Sequence, residues 1–368
     1  MNIVFVSHYS GAGGANNELC LLVRQLIKSY GHKVYVVVPC EGWICEELKG
    51  ECEVVVSPVR YHRWTENQDA KLMSLRRIVK TLQNDRAASM LAHYFVDKSI
   101  DLVHTNDSIT IVGAKLADEL KVPHIWHMRE IFDSQFFMKH TYSEHYCNEW
   151  MKKAKTIIAI SDAVLDRYNK YESLNIVKIY DGVKKQKVRE NKGIHDPLTF
   201  LFCGGTSIDK GFDHVKFLAK KLRQEGKNFK IKVVASCNVD EELRTELHRD
   251  GTERNFEFLG FVDNLPDIRL TCDAMLMCSR AEAFGLVTVE SMLSKVLVIG
   301  RNTGATPELI EDEETGYLYN TEENLCECVM GLWHNDVDEI VERAYEYAVA
   351  NFSIDKVAEK INEIYKSV

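Results

Sequence analysis

Proline is scarce in this sequence, 6 in 368 residues, and glycine is limited to 20. That argues against an all-β design, which punctuates the chain with turn residues every ten or so positions. No stretch approaches the ~20 consecutive apolar residues of a membrane-crossing helix. A basic excess is also missing. Lys and Arg total 46 against 55 Asp and Glu, a net charge of −9, so general nucleic-acid binding lacks its electrostatic footprint. The eleven cysteines form no disulfide ladder and no zinc spacing, and Cys326 and Cys328 stand alone as Cys-x-Cys. Cys203 and Cys278 lie in apolar runs, where a reduced thiol serves as a small core hydrophobe. Odd in number and scattered, the cysteines suit a reducing compartment. The strand-like opening Met-Asn-Ile-Val-Phe-Val has no charged-then-apolar leader. The expectation is therefore a cytoplasmic protein, or one lying peripherally on the inner face of a membrane.

What is present is globular: 45% hydrophobic and 27% charged residues. The length suits two domains of roughly 150–200 residues. Up to Lys184 the chain has 23 basic and 22 acidic residues, which leaves 23 against 33 beyond it. Short Val/Ile-rich runs at 2–7, 33–38, 53–59, 101–104, 124–127, 156–160 and 176–180 alternate with helical periodicity at 17–30 and 109–120. That alternation predicts a parallel sheet wrapped by helices. Residues 184–197 are polar, carry Gly193 and Pro197, and read as a linker. After them the alternation restarts with strands at 198–203, 230–235, 256–259, 274–278, 296–299 and 316–319, and helical segments follow, the last at about 353–366. The prediction is α/β: two doubly wound, Rossmann-like domains facing across a cleft, with ligands at the carboxyl ends of the strands. The boundaries are 1–184, joined by a helix at 353–368 crossing back, and 185–352.

Three stretches carry candidate chemistry. The first strand runs into a turn with Gly11, Gly13 and Gly14 ahead of a helix, where backbone amides and the helix dipole favour an anion. Asn16 stands where a dinucleotide fingerprint has its third glycine; Glu41 could serve as that motif's ribose acid, which keeps a dehydrogenase in view. The second half opens likewise, with Gly204 and Gly205 after a strand and Lys210 placed to meet a phosphate. Most informative is Ser-Arg-Ala-Glu-Ala-Phe-Gly-Leu-Val-Thr-Val-Glu, 279–290. Its Ala-Phe-Gly turn puts Glu282 on a loop at a strand end and Glu290 in the following helix. Glu282 could grip sugar hydroxyls and Glu290 a ribose diol, while amides near Phe284, Gly285 and Leu286 could hold a diphosphate. Asp336-Val337-Asp338 reads as a helix cap, so no metal site is expected.

The ordered set of segments resembles the retaining glycosyltransferases of family 4, which have the two-domain GT-B fold. It comprises Gly13-Gly14 ahead of Glu18, the second strand 31–38, His127, 159–164, Asp181-Gly182-Val183, Asp209-Lys210-Gly211, 258–265, the Glu282-x7-Glu290 spacing, 303–310 and 316–319. The resemblance implies a transferase moving a sugar, with retention, from a nucleotide-diphosphate sugar to a glycan or lipid-linked acceptor, in cell-surface polysaccharide or glycolipid synthesis. No cofactor and no metal are implied. It makes Glu282, His127 and Lys210 the catalytic group. Donor binding falls to Gly13, Gly14, Gly204, Gly205, Lys210, Val262, Glu282, Phe284, Gly285, Leu286 and Glu290. Lys210 meets the diphosphate, Gly14 adds an amide from the opposite domain, His127 sits near the transferred sugar and Val262 borders the base. The alternatives are a non-catalytic nucleotide-sugar or glycan binder and a sugar-nucleotide epimerase on the same fold.

Two positions depart from the family pattern. Gly205 stands where an arginine often lies five residues before the lysine, which removes a positive charge unless Arg280 or Arg129 reaches in. Ala305 replaces one glycine of a usual pair. On the acceptor side, residues 71–86 put Leu72, Leu75, Ile78, Val79 and Leu82 on one helical face, with Lys71, Arg76, Arg77, Lys80 and Arg86 adding charge. Residues 61–64 mix aromatic and basic groups. The plainer expectation is that this face packs on its own sheet; the other is contact of 61–86 with anionic lipid.

Overall fold

Valine-rich runs without polar alternation are buried on both faces, the condition of a strand inside a helix-covered parallel sheet. The computed structural model describes residues 1–67, 74–131, 138–140, 142–169, 171, 173–190, 193 and 195–368, with the side chains of 66–67, 74–77 and 138–140 outside the description. The chain divides into two units, Met1–Lys184 with Ile354–Val368, and Lys185–Ser353.

In chain order the first unit contains β1 Asn2–Val6, α1 Gly14–Tyr30, β2 Lys33–Val38, α2 Trp43–Glu47, β3 Glu53–Val56, β4 Thr65–Asn67, α3 Ser74–Phe95, β5 Leu102–Thr105, α4 Val112–Leu120, β6 His124–Met128, β7 Met138–His140, α5 Glu144–Lys152, β8 Thr156–Ala159, α6 Asp162–Tyr168 and β9 Ile176–Lys178. Its parallel sheet has the order β3-β2-β1-β5-β6-β8-β9. Antiparallel β4 and β7 form a separate ribbon. The second unit contains β10 Leu198–Phe202, α7 Phe212–Gln224, β11 Phe229–Val234, α8 Glu241–Arg249, β12 Phe256–Gly260, α9 Leu265–Leu270, β13 Ala274–Met277, α10 Leu286–Leu293, β14 Leu297–Arg301, α11 Thr306–Leu309, β15 Tyr317–Tyr319, α12 Glu322–Gly331 and α13 Asp338–Phe352. Its parallel sheet has the order β12-β11-β10-β13-β14-β15. Helix α14, Ile354–Ser367, returns to the first unit. There Val357, Ala358, Ile361 and Tyr365 join Ile3, Phe5 and Leu19 in one buried cluster.

Both sheets reverse their strand order once, between β1 and β5 and between β10 and β13. Ligands of doubly wound sheets bind outside the carboxyl ends of strands at such a reversal. The loops there are 7–13 and 106–111 in the first unit, 203–211 and 278–285 in the second.

Two expectations are corrected. The segment 184–197 is no free linker. Buried Asp273, before β13, accepts from Arg189 Nη2 at 2.9 Å, the His195 amide at 2.9 Å and the Thr199 amide at 2.7 Å, strapping the segment onto the second unit. The apolar face assigned to 71–86 does not pack on the sheet. Ile78, Val79 and Leu82 are 54%, 53% and 62% exposed, while Asn84, Ala87, Ala88, Leu91 and Phe95 form the buried side of α3. Small alanines let the helix approach closely there. Lys71 and Leu72 lie outside the described residues, as do the side chains of Leu75, Arg76 and Arg77.

Candidate active site

The turn after β10 places Gly204, Gly205 and Lys210 opposite the loop after β13 that carries Glu282. Lys210 Nζ lies 2.9 Å from Glu282 Oε2; the lysine side chain is 42% exposed and the glutamate 14%. A cation and a mostly enclosed carboxylate thus stand side by side at the order reversal. Gly205 has φ +60°, and a Cβ added there would lie 2.0 Å from the Ser236 carbonyl oxygen. No side chain fits on this backbone, which accounts for the missing arginine. Neither spare arginine is free to replace it. Arg280 donates to Asp213 Oδ2 at 2.5 Å and to the Ile208 carbonyl at 3.1 Å; Arg129 is engaged in the first unit, as described below.

Gly285 is the N-cap of α10 and Leu286 its first residue, so the amides near Phe284, Gly285 and Leu286 belong to a helix start with its favourable dipole. Gly304 has φ +57°, and a Cβ there would be 2.5 Å from the Glu282 carbonyl oxygen. The Ala305 amide donates to that oxygen at 2.8 Å. The 303–306 turn therefore braces the Glu282 loop, and fully buried Ala305 serves where a second glycine was expected. Within α10, Glu290 is paired with Arg269 of α9, a guanidinium with no exposed surface. Val262 follows the end of β12 and is half-buried; the preceding Phe261 is 84% exposed.

In the first unit Gly13 and Gly14 open α1, both exposed. Asn16 shapes the turn before them. Its Oδ1 accepts from Ser7 Oγ at 2.9 Å, and its Nδ2 donates to the carbonyls of Gly11 at 2.7 Å and Tyr9 at 3.1 Å. At the ends of β1, β5 and β6 stand His8, Asp107 and Glu130. The His8 amide donates to Asp107 Oδ2 at 2.9 Å, and its Nδ1 lies 2.9 Å from the same oxygen. Asp107 also accepts from the amides of Ile109 and Thr110, both at 2.8 Å. Burial opposes its charge, but His8 and these amides prevail and hold its pKa below the ordinary value. Burial, reinforced by the Asp107 charge, raises Glu130. His8 is raised: burial works against its charge, and Asp107 outweighs it.

His127, in β6, is 1% exposed. Its Nδ1 lies 3.2 Å from His104 Nε2, whose Nδ1 is 2.5 Å from the Tyr365 hydroxyl. Its Nε2 has no hydrogen-bond partner among the described residues and lies 3.9 Å from Asp181 Oδ1. Burial, then the charges of Arg129 and His104, pushes its pKa well below 6.5, which favours the neutral ring. Arg129 pairs with Asp181 and donates to Asn106 Oδ1 at 3.2 Å.

The sequence reading did not anticipate Arg269, His8, Asp107, Glu130 or Phe261. The only available signal for the acids was their position just after strands; for Arg269, a charge inside an apolar helix pattern. Ligand atoms of Asp213, His214 and Glu322 also lie within 4.8 Å of one another. Arg280 binds one of those carboxylates, and Arg301 acts on His214 with a second positive charge.

Two adjoining family models match the chain: Glycosyltransferase Family 4 over residues 12–187 and Glycosyl transferases group 1 over 184–350. The chain belongs to the group 1, family-4-type glycosyltransferases, and its fold is of the GT-B type. A Klebsiella pneumoniae protein of the cps region, itself uncharacterised, is 29% identical over 62% of this chain and 60% of its own length. An uncharacterised glycosyltransferase of Methanocaldococcus jannaschii is 24% identical over 74% of this chain and 76% of its own. Among solved structures, Anabaena HepE in complex with UDP and glucose superposes with a TM-score of 0.78 at 20% identity, covering all of both chains. TarM superposes at 0.77 and 13% identity, over 99% of this chain and 98% of its own. Among the described residues, no helix is long and apolar enough to cross a membrane.

Proposed function

We propose that this glycosyltransferase moves a hexosyl or related sugar from a nucleotide-diphosphate sugar to a glycan or lipid-linked acceptor, retaining the anomeric configuration, in cell-surface polysaccharide or glycolipid synthesis. The observation that carries the reading is the Lys210–Glu282 pair at the order reversal of the second unit, 2.9 Å apart. Glu282 takes the sugar hydroxyls, and Lys210 neutralises the charge that develops on the departing diphosphate. The α10 amides add fixed dipoles to the same stabilisation. This positive potential comes from the chain's own groups, so the mechanism calls on no metal, and the departing phosphate oxygen takes the acceptor proton on the same face. Glu290 holds the ribose, Val262 borders the base, and Gly204 and Gly205 keep the backbone close to the phosphates. The acceptor side is assigned to the first unit, whose Gly13 and Gly14 are kept as donor-binding residues, with neutral His127 near the transferred sugar.

The test is turnover across a panel of nucleotide sugars with glycan and lipid-linked acceptors, reading released nucleoside diphosphate and, by NMR, the configuration of the product. Glu282→Ala should lower kcat by roughly 10²–10³, the scale of losing one preorganised electrostatic partner, whereas Glu290→Ala should mainly raise KM for the donor. Wild-type kinetics in both variants would defeat the assignment; donor binding with no turnover would leave a binder, and donor conversion without acceptor-dependent release of nucleoside diphosphate an epimerase.

Peripheral membrane contact through 61–86 is favoured by the exposure of Ile78, Val79 and Leu82 beside Arg86, also exposed. Apolar side chains entering the interface next to basic ones suit anionic lipid. Ile78→Glu/Leu82→Glu should abolish co-sedimentation with phosphatidylglycerol vesicles while leaving turnover of a soluble acceptor analogue intact. Equal partitioning of variant and wild type would remove membrane contact from the reading.

A further inference from the structure

Arg269 is the least expected charged group in the second unit. It lies in α9, a six-residue helix, with none of its surface exposed. Its Nη2 donates to Glu290 Oε2, its Nη1 to Gln186 Oε1 at 3.1 Å, and its Nε has no partner among the described residues. A guanidinium so enclosed, with one donor unmet, is not the arrangement that maximises stability. Apolar replacements of buried ion pairs are often neutral or stabilising. The carboxylate it holds is only partly enclosed, 28% exposed. Glu290 Oε1 takes no hydrogen bond among the described residues.

From these contacts we infer that Arg269 is a positioning residue for nucleotide recognition: it fixes the plane of the Glu290 carboxylate, leaving Oε1 turned outward to accept from a ribose hydroxyl. This inference rests on the reading of Glu290 as the ribose partner. An ionised carboxylate offers about four lone-pair positions, so binding Arg269 through Oε2 leaves room for a diol. A free glutamate side chain would have to be ordered by the ligand itself, which commonly weakens binding by a factor of about 2–10. The anchor is built from three separate segments. Gln186, in the strapped segment before β10, holds the other arm of the guanidinium. Cys203, where β10 ends and the glycine turn begins, feels the charges of both Arg269 and Glu290.

The test compares binding of UDP with that of 2′,3′-dideoxy-UDP to the full chain, with the GDP and ADP pairs run alongside, so that the base the protein accepts supplies the ratio. Wild type should prefer the ribonucleotide by roughly tenfold or more, the scale of a hydrogen bond to a charged group. Glu290→Ala should bring that ratio near one. Arg269→Met should lower it by about 3–10-fold, and Arg269→Lys, which keeps the charge without the fork, should recover part of it. A merely structural arginine would weaken both ligands equally and leave the ratio unmoved. If Arg269→Met does not fold, the lysine variant decides: a wild-type ratio in folded Arg269→Lys overturns the inference. A wild-type ratio in Glu290→Ala, or no preference in wild type, instead overturns Glu290 as the ribose partner, whatever Arg269 does.

Discussion

Putting an arginine at position 205, where the family resemblance leads us to expect one, should damage this protein rather than improve it. Two penalties add. Residue 205 has φ +60°, and a left-handed backbone costs a non-glycine residue about 1–2 kcal/mol. Its Cβ would also lie 2.0 Å from the Ser236 carbonyl oxygen, so the turns that follow β10 and β11 must move apart. Forced repacking of that kind costs about 1–3 kcal/mol. The sum is about 2–5 kcal/mol, most of it present already in Gly205→Ala. In a domain of this size each kcal/mol moves Tm by about 2–4 °C, giving a drop of roughly 4–20 °C. Thermal denaturation of Gly205→Ala and Gly205→Arg measures it, and titration with UDP shows whether the new guanidinium helps. A Gly205→Arg protein that melts like wild type and binds the nucleotide more tightly would refute the reasoning, because the backbone would then have room that the described geometry denies.

Asn16→Gly, which would restore the dinucleotide fingerprint, should lower stability by about 1–3 kcal/mol, since the Gly11 carbonyl loses the amide that donates to it while Ser7 Oγ and the Tyr9 carbonyl keep only their bond to each other; denaturant unfolding checks it, and an unchanged midpoint refutes it. His124 is held down to about 3 by burial, below its unfolded value near 6.5. Its contribution is therefore complete above pH 6.5 and declines as pH falls below that, by about 1.4 kcal/mol per pH unit for a single neutral-held histidine. Wild-type stability measured relative to His124→Gln should be flat from pH 8 to 6.5 and fall toward pH 5; a difference that stays flat contradicts it. Phe261→Ala should leave Tm within about 1–2 °C, as for an exposed substitution, while weakening nucleotide binding about 3–10-fold if the base stacks there; unchanged binding removes Phe261 from the site.

The sheets were legible because their strands are buried on both sides and carry unbroken apolar runs, as in β2, where Val34–Val38 are all buried. The glycine turn before α10 likewise marked where a loop carrying Glu282 gives way to a helix carrying Glu290. Pairings between distant segments were not legible. Nothing at Arg269 names Glu290 as its partner, and the ribbon of 65–67 with 138–140 joins residues some seventy positions apart with no periodic signal. Helix α3 was misread for a different reason. Periodicity revealed an apolar stripe at 78, 79 and 82, but a second stripe of small residues at 87 and 88 permits closer packing and took the inner face. Gly205 illustrates the same limit. The sequence displays the absent arginine; only the approach of Ser236 explains it.

The return of residues 354–367 to the first unit has a consequence for biosynthesis. Tyr365 hydrogen-bonds His104 and Asn362 meets His32 at 2.8 Å, so the first 184 residues leave the ribosome without the piece that seals their own interior. The stretch 185–353, by contrast, is one continuous run of chain. At translation speeds of about 5–20 residues per second, the earlier-made portion waits roughly ten to thirty-five seconds with the apolar groove for α14 open to solvent. In the cell, that interval is when a chaperone has most to protect.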